Sequence, residues 1–154
     1  MNVSHESIGI FWPLVVGMGT TLITIVIHAL AMRTMIDFVR HERRRGHTGV
    51  SFWRDLGIIA GAILWSFAAH VVEIAAWGIV FYYCGEFMDF AAAFYHSAEN
   101  YTTLGYGDVV MSASWRLLGP YEAADGMLMF GVSTAMIFAV IQRLVEVRLP
   151  DFDR

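Results

Sequence analysis

The stretch TTLGYGD, residues 102–108, decides how this chain is read. It places Gly-Tyr-Gly beside an aspartate, between a short amphipathic segment and a long apolar one, in a protein without lysine. Its surroundings are oily: 57% of the 154 residues are hydrophobic, 16% are charged, and the mean hydropathy is +0.56. An ordinary soluble domain is far less apolar, so the medium that suits this chain is lipid. The formal charge of -4 is spread over a few positions and gives no nucleic-acid footprint. Cys84 is the sole thiol, which excludes an intrachain disulfide. The opening MNVSHESIG has no Lys or Arg before its apolar run, unlike a secretory signal, so the first apolar segment is expected to be retained.

A helix crosses the hydrocarbon core with about 20 apolar residues at about 1.5 Å each. Three stretches meet that length: 8–32, 56–83 and 117–141. The segment between the second and third is too polar and too interrupted to span. Six of the ten arginines, Arg33, Arg40, Arg43, Arg44, Arg45 and Arg54, fall between the first two spans, and only Arg116 falls between the second and third. Arginine-rich loops stay on the cytoplasmic side, which puts the N-terminus outside, residues 102–108 outside and the C-terminus inside. Arg33, Asp37, Arg40 and Arg44 recur at helical spacing. Two readings are open: a helix lying on the anionic inner leaflet, or a solvated continuation of the first span whose arginines set topology.

Residues 89–101 form a short helix candidate entering the membrane from outside, with TTLGYGD at its end. Non-helical chain at that depth is tolerated only inside protein or along a watered path. A run of carbonyls facing one way needs dihedrals that alternate in hand, which Gly105 and Gly107 supply without steric cost.

SAENYTTLGYGD, residues 97–108, resembles the pore helix and selectivity filter of tetrameric potassium channels. The resemblance covers residues 56–145: a span, a re-entrant helix, the filter, and a following span with Gly126 at the position of the family's inner-helix hinge. It implies an all-α membrane protein of three transmembrane helices, with residues 1–55 as an added span and arginine-rich loop, 56–145 as the pore domain and 146–154 as a short cytoplasmic tail. It further implies that carbonyls of Thr103, Leu104, Gly105 and Tyr106, together with the Thr103 hydroxyl, replace the hydration shell of K⁺, with Gly107 completing the filter. One loop per chain then calls for a homotetramer. Leu104 stands where valine is commoner, and its side chain is expected to face away from the ion. Tyr106 is expected to pack against Tyr95 and Tyr101, with Thr102 and His96 in the supporting cuff. Glu99 and Asp108 are expected to meet behind the filter and share a proton. Met127, Phe130 and Thr134 would line the pore, with Gly126 and Gly131 as places for bending or for close helix packing.

Four ionisable residues lie within the second and third spans, where such groups face protein or water. His70 and Glu73, and Glu122 and Asp125, are each spaced to share a helical face. Counted from the span ends, Glu73 and Asp125 lie about 15 and 12 Å deep. A proton-sharing cluster of His70, Glu73 and Asp125, with Glu122 beside it, is one expectation; separately satisfied hydrogen bonds are the other. A metal site lacks a recognised ligand spacing. His28, counted down the first span, lies too deep to join them and reads as a helix-contact residue.

No span carries an arginine ladder, and the stretch after the third span is too short for a ligand-binding domain. The expectation is therefore a passive K⁺ channel of a bacterial inner membrane, not an enzyme, with no cofactor beyond the permeant ion and with anionic lipids at the arginines. Two alternatives are a nonconducting scaffold or regulatory subunit and an intramembrane proton- or metal-binding protein.

Overall fold

A computed structural model describes residues 9–46 and 51–148. The tail beyond 148 and the glycine-bearing part of the arginine-rich loop at 47–50 lie outside the described residues. Among those described, all regular structure is helical: α1 (Phe11–Arg44), α2 (Phe52–Tyr83), α3 (Phe90–Tyr101) and α4 (Leu118–Arg148). Three of them, α1, α2 and α4, are long and apolar enough to cross a membrane. Leu22, Val26, Leu64, Phe67 and Val72 are among the large apolar side chains they leave exposed, the surface a lipid-facing bundle needs.

The first helix is longer than the span that composition marks out. Its 34 residues reach about 51 Å, against about 30 Å of hydrocarbon. From residue 20 to Arg44 there is neither glycine nor proline to interrupt it. The arginine-bearing segment is thus an unbroken extension of the span, and the separate helix lying on the leaflet is not formed. Arg43 and Arg44 occupy the last turn, where a cation complements the helix dipole. Pro13 stands in the first turn, where its missing N–H is no loss.

The remaining spans pack around α3. Helix α1 contacts α2 and α4 of its own chain, α3 is held between α2 and α4, and α2 and α4 meet each other. Trp77, Phe81, Ala93, Tyr101, Met111 and Leu118 form the main apolar core around α3. A second cluster, Ile58, Val140 and Leu144 with Val39, closes the far end of the bundle. Gly9 N–H donates to the Ala113 carbonyl at 3.2 Å, so the start of α1 lies beside the loop that follows residues 102–108. Arg40, Arg43 and Arg143 line a groove at the other end. The filter-like segment and these three arginines therefore occupy opposite ends of the bundle.

Candidate functional site

Helix α3 begins cleanly because Asp89 caps it, its carboxylate accepting from Ala92 N–H at 2.8 Å. It ends by wrapping its last carbonyls: Thr103 N–H donates to Asn100 O at 2.8 Å, and Leu104 and Gly105 N–H donate to Glu99 O at 2.8 and 3.2 Å. Past that wrap the backbone changes hand at every second residue. Thr103, Gly105 and Gly107 have φ of 60°, 54° and 73°, with Leu104 and Tyr106 on the ordinary side. The two glycines answer the sequence expectation. Thr103 does not, since a β-branched residue in the left-handed region is an outlier. The whole run from Thr102 to Asp108 is exposed in the single chain.

Residues behind this segment hold it in a different pattern from the one expected. Glu99 and Asp108 form no hydrogen bond with each other among the described residues. Instead Tyr95 stands by both carboxylates, its hydroxyl donating to Asp108 Oδ2 at 3.2 Å, while buried Glu99 Oε1 has no partner. A phenol is long enough to keep the two carboxylates apart. Desolvation first, then its hydrogen bonds with Glu99 and Asp108, push the Tyr95 phenol up to about 12, so it remains a donor. His96 belongs to the cuff, its ring 5.4 Å from that of Phe81 and 5.0 Å from that of Phe87. Asn100 Nδ2 donates to His96 Nε2 at 2.9 Å, which leaves Nδ1–H to donate to the Val109 carbonyl at 3.0 Å. Burial lowers the His96 pKa, against a smaller opposing effect from the Val109 hydrogen bond. Glu86, which no spacing in the sequence marks, accepts from Ser112 N–H at 2.6 Å and from its hydroxyl at 2.8 Å. Together His96 and Glu86 pin the chain that leaves the filter-like segment. Thr102 is occupied locally, its hydroxyl donating to Ala98 O at 2.7 Å.

Tyr106 and Tyr101 do not pack together within the chain. Tyr106 is 72% exposed, whereas Tyr101 is fully buried and points back into the bundle. A buried phenol needs a partner, and Tyr101 finds one in Glu73 Oε2, to which it donates.

The four intramembrane ionisable residues divide into three groups. Glu73 is bound by His70 Nδ1 at 3.1 Å, by Tyr101, and by His28 Nδ1 at 2.9 Å. Asp125 Oδ2 instead accepts from Thr24 Oγ1 at 2.8 Å and Trp77 Nε1 at 2.9 Å. Glu122 accepts from Ser97 on α3. The cluster of His70, Glu73 and Asp125 is thus corrected: Asp125 lies nearby with its own donors, and His28 takes the place given to it. Counted from Phe11, His28 is about 26 Å along its helix, whereas Glu73 is about 15 Å from the end of α2. Since the two meet, α1 starts about 10 Å beyond the end of α2, with Gly9 beside Ala113. Thr20, Thr24 and His28, all buried, recur at every fourth residue, and that polar stripe was the available signal.

A Cβ on Gly126 would lie 2.2 Å from the Tyr101 carbonyl oxygen, so this glycine serves close approach of α4 to the end of α3. Gly131 has nothing within 4 Å of such a Cβ. Met127, Phe130 and Thr134 are all exposed in the single chain, and the Phe130 ring also lies 4.3 Å from that of His70 and 5.5 Å from that of Tyr101. His28, His70 and Glu73 each present a ligand atom within 4.8 Å of the others, which makes them the group that can hold a metal among the described residues.

No curated protein and no solved structure matches the chain. Residues 69–143, from the second half of α2 through α3 and the alternating segment into α4, match the family model described as "Ion channel". With three apolar helices of spanning length, that match makes this an integral membrane protein whose central stretch is similar to an ion channel.

Proposed function

We propose that the chain is one subunit of a homotetrameric, potassium-selective channel that passes K⁺ down its gradient. The observation that carries this reading is the alternation of left-handed backbone at Thr103, Gly105 and Gly107 at the end of a short capped helix. Dihedrals alternating in this way are the condition for stacking several carbonyls toward one axis, where they can substitute for the water around a cation. Carbonyls of Thr103, Leu104, Gly105 and Tyr106 are the proposed ligands. The exposure of residues 102–108 in a single chain supports the four-fold assembly, because bare backbone at membrane depth has to be covered or lined by water. The C-terminal end of α3, next to this segment, contributes negative dipole and favours a cation. The arginines of α1 and α2 support an orientation with residues 102–108 outside, in a bacterial inner membrane with anionic lipid at the opposite face.

The test is flux from K⁺-loaded and Na⁺-loaded liposomes containing the purified protein alone, for the native chain and Gly105→Ala. Gly105 has φ of 54°, where a side chain costs about 1–2 kcal/mol in each subunit. Fast K⁺ flux, little Na⁺ flux and loss in the variant are expected. Equal flux of both ions would overturn the selectivity, and a stable protein that passes neither would overturn the channel.

A further inference from the structure

Beneath the end of α3 two imidazoles converge on one carboxylate. His28 Nδ1, from α1, lies 2.9 Å from Glu73 Oε1, and His70 Nδ1, one turn before Glu73 on α2, lies 3.1 Å from Oε2. Tyr101 on α3 sets its hydroxyl beside both, 3.1 Å from His70 Nδ1 and in hydrogen-bond contact with Glu73 Oε2. All four residues are buried. Among the described residues no arginine pairs with Glu73, and the chain has no lysine. Asp125 and Glu122 on α4 add two more buried carboxyls nearby. The interior of the bundle is thus rich in carboxyl groups and holds no permanent cation of its own to set against them.

One residue of α4 holds the far side of both rings. Ser133 Oγ lies 3.2 Å from His28 Nε2 and 3.0 Å from His70 Nε2. A hydroxyl oxygen has two acceptor lone pairs, so it can take an Nε2–H from each ring. Both rings then turn an Nδ1 lone pair toward the side where Glu73 stands. That is the tautomer a metal takes up, and a hydrogen-bond partner on the opposite ring nitrogen is the usual companion of a metal-bound histidine. In the ion-free network one ring instead accepts from Ser133 and donates its Nδ1–H to Glu73; loading an ion replaces that hydrogen.

We infer that His28 Nδ1, His70 Nδ1 and a Glu73 carboxylate oxygen form a binding site for one divalent transition-metal ion, zinc by donor type, that fastens α1 to α2 beneath α3. Two imidazoles and one carboxylate are a zinc donor set that leaves a fourth position open, and the Tyr101 oxygen stands beside it. The three ligand atoms already lie within 4.8 Å of one another. Ligands on a tetrahedral zinc with bonds of about 2.0–2.1 Å stand about 3.3 Å apart. The contacts of 2.9 and 3.1 Å therefore have to open by only about 0.2–0.4 Å to admit the ion. The site does not depend on the proposed K⁺ conduction, since residues 102–108 contribute none of its ligands.

The test loads the full chain, stripped with a chelator and held in lipid nanodiscs, with Zn²⁺ alone. Titration calorimetry and elemental analysis should give one tightly held ion per chain, and zinc should raise the melting temperature. X-ray absorption at the zinc edge should show two imidazoles and oxygen, with bonds of about 2.0–2.1 Å and no sulfur. Ser133→Ala keeps the three ligands and should weaken binding about 10–100-fold, the usual effect of losing an outer partner. His28→Gln and His70→Gln should each weaken it further and abolish the zinc-dependent rise in melting temperature. His41→Gln removes an exposed histidine of α1 and should leave binding unchanged. No uptake near one ion per chain by the native protein would overturn the inference. So would sulfur among the ligands, or native affinity in His28→Gln or His70→Gln. None of these readouts depends on ion flux.

Discussion

Gly126 on α4 and Tyr101 at the end of α3 approach so closely that a methyl group on the glycine would lie 2.2 Å from the tyrosine carbonyl oxygen. The contact couples the inner span to the residue from which the alternating segment departs, and the same Tyr101 reaches Glu73 through its hydroxyl. One residue thus receives α4 through its backbone and α2 through its side chain.

Alanine in a helix interior normally gains up to about 1 kcal/mol over glycine. At Gly126 the sign should reverse, because either the end of α3 or the course of α4 has to shift, at the cost of about 1–3 kcal/mol usual for overpacking. Gly131→Ala is the matched control, since its Cβ would meet nothing within 4 Å. Thermal unfolding in detergent should show Gly126→Ala clearly below the native protein and Gly131→Ala level with it or above. Equal behaviour of the two would mean that Gly126 is not needed for this approach.

Acid should loosen the exit of the filter-like segment through His96. Burial lowers the pKa of this imidazole below its ordinary value of 6.5. The unfolded chain therefore takes up a proton at a higher pH than the folded one, and neutral His96 contributes stability that is complete above about 6.5. That contribution is lost as the pH falls and is gone below the lowered folded value. Protonation also turns Nε2 into a donor facing the Asn100 amide nitrogen. Melting temperatures measured across this range should fall more steeply for the native chain than for His96→Gln. Parallel curves would remove His96 from the acid response.

How much of this could be read from sequence follows from what each feature depends on. The spans are visible because crossing lipid is a matter of length and apolarity, both local. Gly105 and Gly107 are visible because left-handed backbone favours glycine. Thr103 adopts the same conformation against its own preference, so its residue type points the wrong way. Depth counted from the outer end of each span misplaces His28, because the level at which α1 starts is a tertiary fact, set where Gly9 meets Ala113. Gly126 shows in the sequence as a glycine, but what it faces is a tertiary fact. The hydrogen bonds of Tyr95, Tyr101 and Glu86 depend equally on which elements meet.

The pair of donors on Asp125 gives a prediction about coupling. Thr24 on α1 and Trp77 on α2 both donate to Asp125 Oδ2 on α4, so one carboxylate oxygen ties three spans, while its other oxygen is buried without a partner. Trp77→Phe or Thr24→Val alone should cost about 1–3 kcal/mol, the usual penalty for stripping a partner from a buried charged or polar group. The double variant should depart from the sum of the two by at least about 0.5 kcal/mol, because both act on one acceptor. Additive losses would mean that the two residues stabilise the bundle independently of Asp125.

Thr103 offers a separation of backbone strain from side-chain chemistry. At φ of 60° a β-branched residue is held in a region that costs about 1–2 kcal/mol even for an unbranched one. Thr103→Ser keeps the hydroxyl and removes the branch, so it should melt no lower than the native protein and, on the proposed function, retain selective K⁺ flux. Thr103→Val keeps the branch and the shape but loses the hydroxyl. It should fold with comparable stability and pass K⁺ several-fold more slowly, because one oxygen proposed to face the dehydrated ion is gone. Native flux in Thr103→Val would confine the ligand role to carbonyls. Loss of flux in Thr103→Ser, with the fold intact, would mean instead that the strained branch itself holds the segment in its alternating form.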